Sequence, residues 1–211
     1  MPPTDRFVIS FAASPPQETL PYGRWEETLG EHFRAACEQI DTEGEDLGEP
    51  GDVAWFPDRT YAGRTYVPAV ARTTGGYELF GFVSFTASAP EEGASETGAP
   101  YDFDAHADFT AELAEENPDW KLDLNDEVIG TWRGEQANVA DVTLVWGVPL
   151  IPGGAIVTAE LANLAVDQCE LVDDRFTLIA PDNYRQDFLE IKLWSKRGQE
   201  LAAESLYVED E

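Results

Sequence analysis

The chain has 211 residues and carries 13 Lys and Arg against 42 Asp and Glu, a formal charge of −29. Its 43% apolar content, with six Trp, seven Tyr and eleven Phe, excludes an intrinsically disordered chain. At roughly 150 residues per domain the length allows one large domain or two small ones, and the charge excludes a general nucleic-acid binder, because phosphates are repelled by most of such a surface.

The first candidate element is the β-rich run FVISF at 7–11, closed by Pro15 and Pro16. Residues 21–40 predict an amphipathic helix: Trp25, Leu29, Phe33, Ala36, Cys37 and Ile40 recur at three- and four-residue steps, with Glu26, Glu27, Glu31, Arg34 and Glu38 between them. His32 borders the apolar stripe and reads as a half-buried structural histidine. The acidic, glycine-containing stretch 41–52 is a solvated connector. Three short strands follow, VAWF, RTYVPAVA and YELFGFVSFT. Thr73-Thr74-Gly75-Gly76 marks a hairpin turn between the last two, and Pro68 places the first of that pair at a sheet edge.

Residues 87–100 lack any large apolar side chain and read as a flexible linker or loop. Beyond them a short helix is expected, capped by Asp102 or Asp104, with Phe109 and Leu113 on one face and Asn117-Pro118 as its stop. From Glu127 onward strands alternate with turns. In FLEIKLW, Leu189, Ile191 and Leu193 point one way and Glu190 and Lys192 the other, the mark of one-face burial in an antiparallel sheet. The expected class is α+β: an antiparallel sheet with one packed helix over 1–86, a linker or loop at 87–100, a short helix and connector over 101–126, and a mainly-β domain over 127–211.

The Gly-initiated strand Gly154-Ala-Ile-Val157, the strand start Asp174-Arg-Phe176-Thr, the Ala180-Pro181 step and the charged turn Lys196-Arg-Gly198 span about a third of the chain. This C-terminal part resembles the Ig-like β-sandwich modules of bacterial and archaeal multidomain proteins. The resemblance implies an adhesive or structural module and carries over no catalytic residue. The last hairpin is also similar to the closing strands of hotdog-fold acyl-thioesterases, but no long central helix precedes it.

Only three lysines (Lys121, Lys192, Lys196) accompany ten arginines. Like charges at this density destabilise a compact state unless salt shortens the Debye length, to about 3 Å at 1 M, so halophilic adaptation is the expected meaning of the charge, with charge mimicry as the alternative. Cys37 and Cys169 have no metal-ligand spacing and read as free buried thiols. No apolar run approaches the ~18 residues of a membrane helix, so no membrane insertion is expected. The N-terminus lacks a signal peptide's basic region. The expected location is the cytoplasm as synthesised, or an assembled particle.

Two patterns carry chemistry. From Arg59 through Tyr77 there is no acid, and Arg59, Arg64 and Arg72 interleave with Tyr61, Tyr66 and Tyr77. Arginine among aromatic faces can stack or clamp a carboxylate or phosphate, so the segment is an interface or anion-binding candidate. The alternative is pairing with acids of the helix or of the loop 41–52. In YDFDAHAD, Asp102, Asp104, His106 and Asp108 alternate; on an extended strand all four can face one side and offer oxygens to Ca²⁺ or Mg²⁺, whereas on a helix they only cap it. No cofactor is otherwise expected, and DLNDE at 123–127 is a weaker cluster of the same kind. No nucleophile elbow, P-loop or H-E-x-x-H occurs. The leading functional expectation is a non-catalytic structural or interaction protein, a subunit of a larger assembly such as a virion, tail or surface machine from a high-salt environment, with a protein partner or self-association. The alternatives are an esterase-like or metal-assisted hydrolase using Asp104, His106 and Asp108, and an acidic binder of a basic partner.

Overall fold

The computed structural model describes residues 25–42, 44–87, 99–133, 139–184 and 187–206. The strand expected at 7–11 lies outside them. The described chain is mostly antiparallel β-sheet with one α-helix, in the order α1 (Glu26–Cys37), β1 (Pro50–Trp55), β2 (Arg59–Tyr61), β3 (Arg64–Thr73), β4 (Glu78–Ala87), β5 (Pro100–Thr110), β6 (Leu122–Arg133), β7 (Val139–Pro149), β8 (Gly154–Leu161), β9 (Leu164–Glu170), β10 (Phe176–Asp182), β11 (Glu190–Ser195) and β12 (Glu200–Ser205). These strands build three sheets: β1-β3-β4-β5 with β2 also on β3, then β10-β7-β6, then β12-β11-β8-β9.

The helix forms where the apolar period predicts it. Leu29 and Phe33, four residues apart, are buried against Trp55, Val67, Ala69 and Val83 of the first sheet, and Glu26, Glu27 and Arg34 sit at the ends that suit the helix dipole. His32 stacks on Phe103 of β5 with ring centroids 4.4 Å apart. The hairpin turn falls at Thr73–Gly76, where the Thr73 N–H donates to Tyr77 O and Gly76 takes a φ of 88°. Pro68 is not at an edge: β3 is interior, flanked by β4 on one side and by β1 and β2 on the other. The proline is tolerated because β1 ends opposite Ala69 and β2 begins opposite Tyr66, so its missing N–H faces a break in the neighbouring strand.

The short helix expected after Asp102 does not form. Residues 100–110 are the edge strand β5, and only a 3₁₀ turn, Ala114–Glu116, follows. Phe103, Ala105, Ala107 and Phe109 have period two, and the first three pack on the helix side of the sheet while Asp104, His106 and Asp108 are exposed. Pairing with β4 overrides the helical reading of a mixed pattern. Most of the segment 87–100 lies outside the described residues, but its ends, Ala87 and Pro100, are paired with each other. The stretch therefore joins neighbouring strands of one sheet, and the break between the N-terminal and C-terminal sheets falls at 111–121, ahead of β6.

Beyond that break the strands follow the sequence patterns. The predicted run AIVTAELANLAV splits into β8 and β9 at Ala162 and Asn163, both at positive φ, a two-residue hairpin. Leu189, just ahead of β11, and Ile191 and Leu193 on it are fully buried, while Lys192 on the other face pairs with Glu160 at 2.8 Å. The second and third sheets share a core that includes Val145, Leu178, Ile191 and Leu193. The other face of the second sheet, with Val142, Leu144, Trp146 and Ile179, packs on Phe56, Tyr66 and Phe82 of the first. The result is four layers: helix, first sheet, second sheet, third sheet.

Candidate functional site

The hairpin singled out by its arginines lies at the seam between the N-terminal and C-terminal layers, and each arginine meets a carboxylate of its own chain. Arg59 on β2 is buried and paired with Asp167 on β9, which is buried too. The other oxygen of Asp167 accepts the N–H of Ile179 on β10 at 2.9 Å, so three sheets meet at one carboxylate. Burial pushes the Asp167 carboxyl up, against the lowering effect of Arg59 and of its backbone donors. Arg175, just ahead of β10, donates to Trp55 O at 2.7 Å and lies over the Phe56 ring.

Arg64 donates to Ser84 Oγ and to both the carboxylate and the carbonyl of Asp102 at 2.8–2.9 Å. Arg72 reaches Glu78 at 3.1 Å and Glu115 at 2.8 Å. None of these acids belongs to the helix or to the loop 41–52; from that loop Glu45 reaches a candidate residue, accepting from the Tyr77 hydroxyl at 3.0 Å. That bond, more than desolvation, pushes the Tyr77 phenol up. Tyr66 is buried edge-on against Phe82, and Tyr61 packs on the same apolar cluster.

The four alternating residues of YDFDAHAD do not converge. Asp102, at a φ of 55°, turns to Arg64; Asp104 and Asp108 accept from the N–H groups of Ala105 and Phe109; His106 Nε2 stands 3.1 Å from Glu127 on β6. Among the described residues no group of three or more His, Cys, Asp or Glu is placed to hold a metal ion, and the alternation does not become the oxygen cluster that an extended strand could have offered Ca²⁺ or Mg²⁺. No helix among them is long and apolar enough to cross a membrane. Cys37 and Cys169 are free, with thiols raised by burial to about 11 and about 12.

The seam also opens into a cleft that sequence reading missed. About 200 Å³ of space between β4 and β6 is lined by Glu78, Phe80, Thr110, Trp120, Asp123 and Asn125. Burial pushes the carboxyls of Glu78 and Asp123 up, Arg72 lowers both, and the Asn125 side chain bonds Glu78. The acids of DLNDE were visible as a cluster, but Glu78 lies on another strand and had no local signal. Chemically the cleft is anionic with an aromatic wall, and Arg72 at its rim already supplies one cation. No protein-family model matches the chain, and neither a curated protein nor a solved structure does.

Proposed function

We propose that the chain is a non-catalytic structural or interaction protein, a rigid β-layered module that works with a protein partner in a larger assembly under high salt. The observation that carries this reading is the use made of its few cations: Arg59, Arg64 and Arg72 brace strands and sheets against one another, which leaves a stiff body whose surface is dominated by acids. An Ig-like sandwich for 122–206 is part of the proposal. With the seven strands β6–β12 lettered A to G, the two sheets run E-B-A and G-F-C-D, which is the Ig order apart from the fourth strand, here paired with the third. The first sheet then covers the outer face of the E-B-A layer.

Light scattering after size exclusion, in low salt and in multimolar KCl, tests the reading. A defined oligomer, or a stable complex with a co-purified partner, that persists in KCl is the expected result. A lone compact monomer with no partner at any salt overturns it. A second reading, an acidic binder of a basic partner, is favoured by the cleft at Glu78 and Asp123; it predicts capture of a basic protein that collapses as salt rises. The hydrolase reading loses its constellation, since Asp104, His106 and Asp108 are each engaged elsewhere.

A further inference from the structure

An edge strand exposes a row of main-chain donors and acceptors that invites another strand. β5 is such an edge among the described residues, eleven residues long and with no described strand on its outer side. Its inward and outward groups can be told apart. The His106 carbonyl points at β4, so closely that a side chain on Gly81 would meet it at 2.1 Å, and the Asp104 carbonyl faces Ser84 Oγ. The N–H and C=O of one strand residue point the same way and alternate along the strand, so Ala105, Ala107 and Phe109 direct theirs outward. Two of these outward N–H groups are taken: Ala105 by Asp104 Oδ1 at 3.0 Å and Phe109 by Asp108 Oδ1 at 2.8 Å. The same bond, donated by a backbone N–H to the aspartate before it, recurs at Asp167 on the edge strand β9 and at Asp182 on the edge strand β10.

We propose that Asp104 and Asp108 guard the β5 edge, each occupying an outward main-chain donor and so keeping β5 from pairing with β5 of a second copy of this chain. The occupant follows from the strand's own sequence. An antiparallel pairing centred on His106 sets Ala105 opposite Ala107 and Phe103 opposite Phe109, small and aromatic residues that already pack beneath α1 or border it. It also sets Asp104 opposite Asp108, so that the two guards repel across the dyad while each withholds a donor.

The test is molar mass by light scattering in multimolar KCl, where charge repulsion is screened. The double variant Asp104→Ala with Asp108→Ala removes the acceptors; Asp104→Asn with Asp108→Asn removes the charges and keeps an acceptor. The expected result is twofold the wild-type mass for the alanine pair and wild-type mass for the asparagine pair. Wild-type mass for the alanine pair overturns the proposal, as does a doubled mass for both. Amide exchange in the wild-type chain decides independently of whether the variants fold: Ala105 and Phe109 are expected to exchange roughly tenfold more slowly than Ala107, whose outward N–H follows a histidine. Equal rates at the three amides overturn it.

Discussion

Arg59 and Arg72 close opposite ends of one seam with the same chemistry and with different physics. Arg59 and Asp167 expose 3% and 8% of their side chains, whereas Arg72 is 41% exposed and its second partner Glu115 is 72% exposed. Attraction between exposed charges is weak and screened, worth about 0–1 kcal/mol. A buried pair gains little over an apolar pair, yet losing one member strands the other in a medium that cannot solvate it. The first end is therefore a lock whose halves need each other, and the second is a trim on a layer interface held by apolar contact.

The comparison breaks hardest at Asp167. Asp167→Ala leaves Arg59 buried without its anion and is expected to cost about 3–5 kcal/mol, read as the urea midpoint at fixed high KCl. Replacing Arg59 with Met and Asp167 with Leu together should cost much less. A single-variant loss near that of an exposed pair would show that water reaches the site. Cys169 gives a second readout, because burial that holds its thiol near 12 keeps it from thiol reagents and the same opening exposes it.

Neither end was fully legible in the sequence. The acid-free run 59–77 announced arginines that needed anions, but the partner of Arg59 lies 108 positions away on a strand with no distinguishing pattern. Local patterns did reveal the helix, because Leu29 and Phe33 repeat at its period, and β11, because Glu190 and Lys192 alternate with Ile191 and Leu193. On β7 the run VTLVWGV does not alternate, and the reason is structural: Leu144 and Trp146 face the first sheet while Val145 faces the third. The layer stack was encoded there, in a strand apolar on both faces. YDFDAHAD misled because its alternating aspartates suit a metal, a helix cap or an edge strand alike, and only pairing with β4 chooses among them.

Acid sharpens the same contrast. Glu78 and Asp123 both have carboxyls raised by burial in the folded chain, above ordinary values of 3.8 for Asp and 4.5 for Glu. A raised folded value means that the native state binds the proton more tightly, so the stabilising contribution is complete below the unfolded value and is lost as pH rises through the folded one. At fixed moderate salt, lowering the pH from 7 towards the ordinary carboxylate values should raise the thermal midpoint, and relief of net repulsion acts in the same direction. A midpoint that falls over this interval would show that attraction to arginine outweighs desolvation at these carboxyls.

The smallest expected effect separates the two partners of Arg72. Glu115→Ala removes an exposed anion and should change stability by less than about 0.5 kcal/mol. Arg72→Ala should cost more, about 1 kcal/mol, because it withdraws the cation that lowers the buried Glu78 carboxyl and leaves Asn125 as its remaining bonded partner. That difference has a signature in pH. Without Arg72 the folded Glu78 value moves further up, so the penalty belongs to the ionised form and disappears once the carboxyl is protonated. Urea midpoints of Arg72→Ala and wild type should therefore separate at pH 7 and converge as the pH falls through the raised folded value of Glu78, whereas Glu115→Ala tracks wild type throughout. A gap for Arg72→Ala that persists unchanged once the carboxyl is protonated would place its contribution in packing of the guanidinium stem and not in the charge it lends to Glu78.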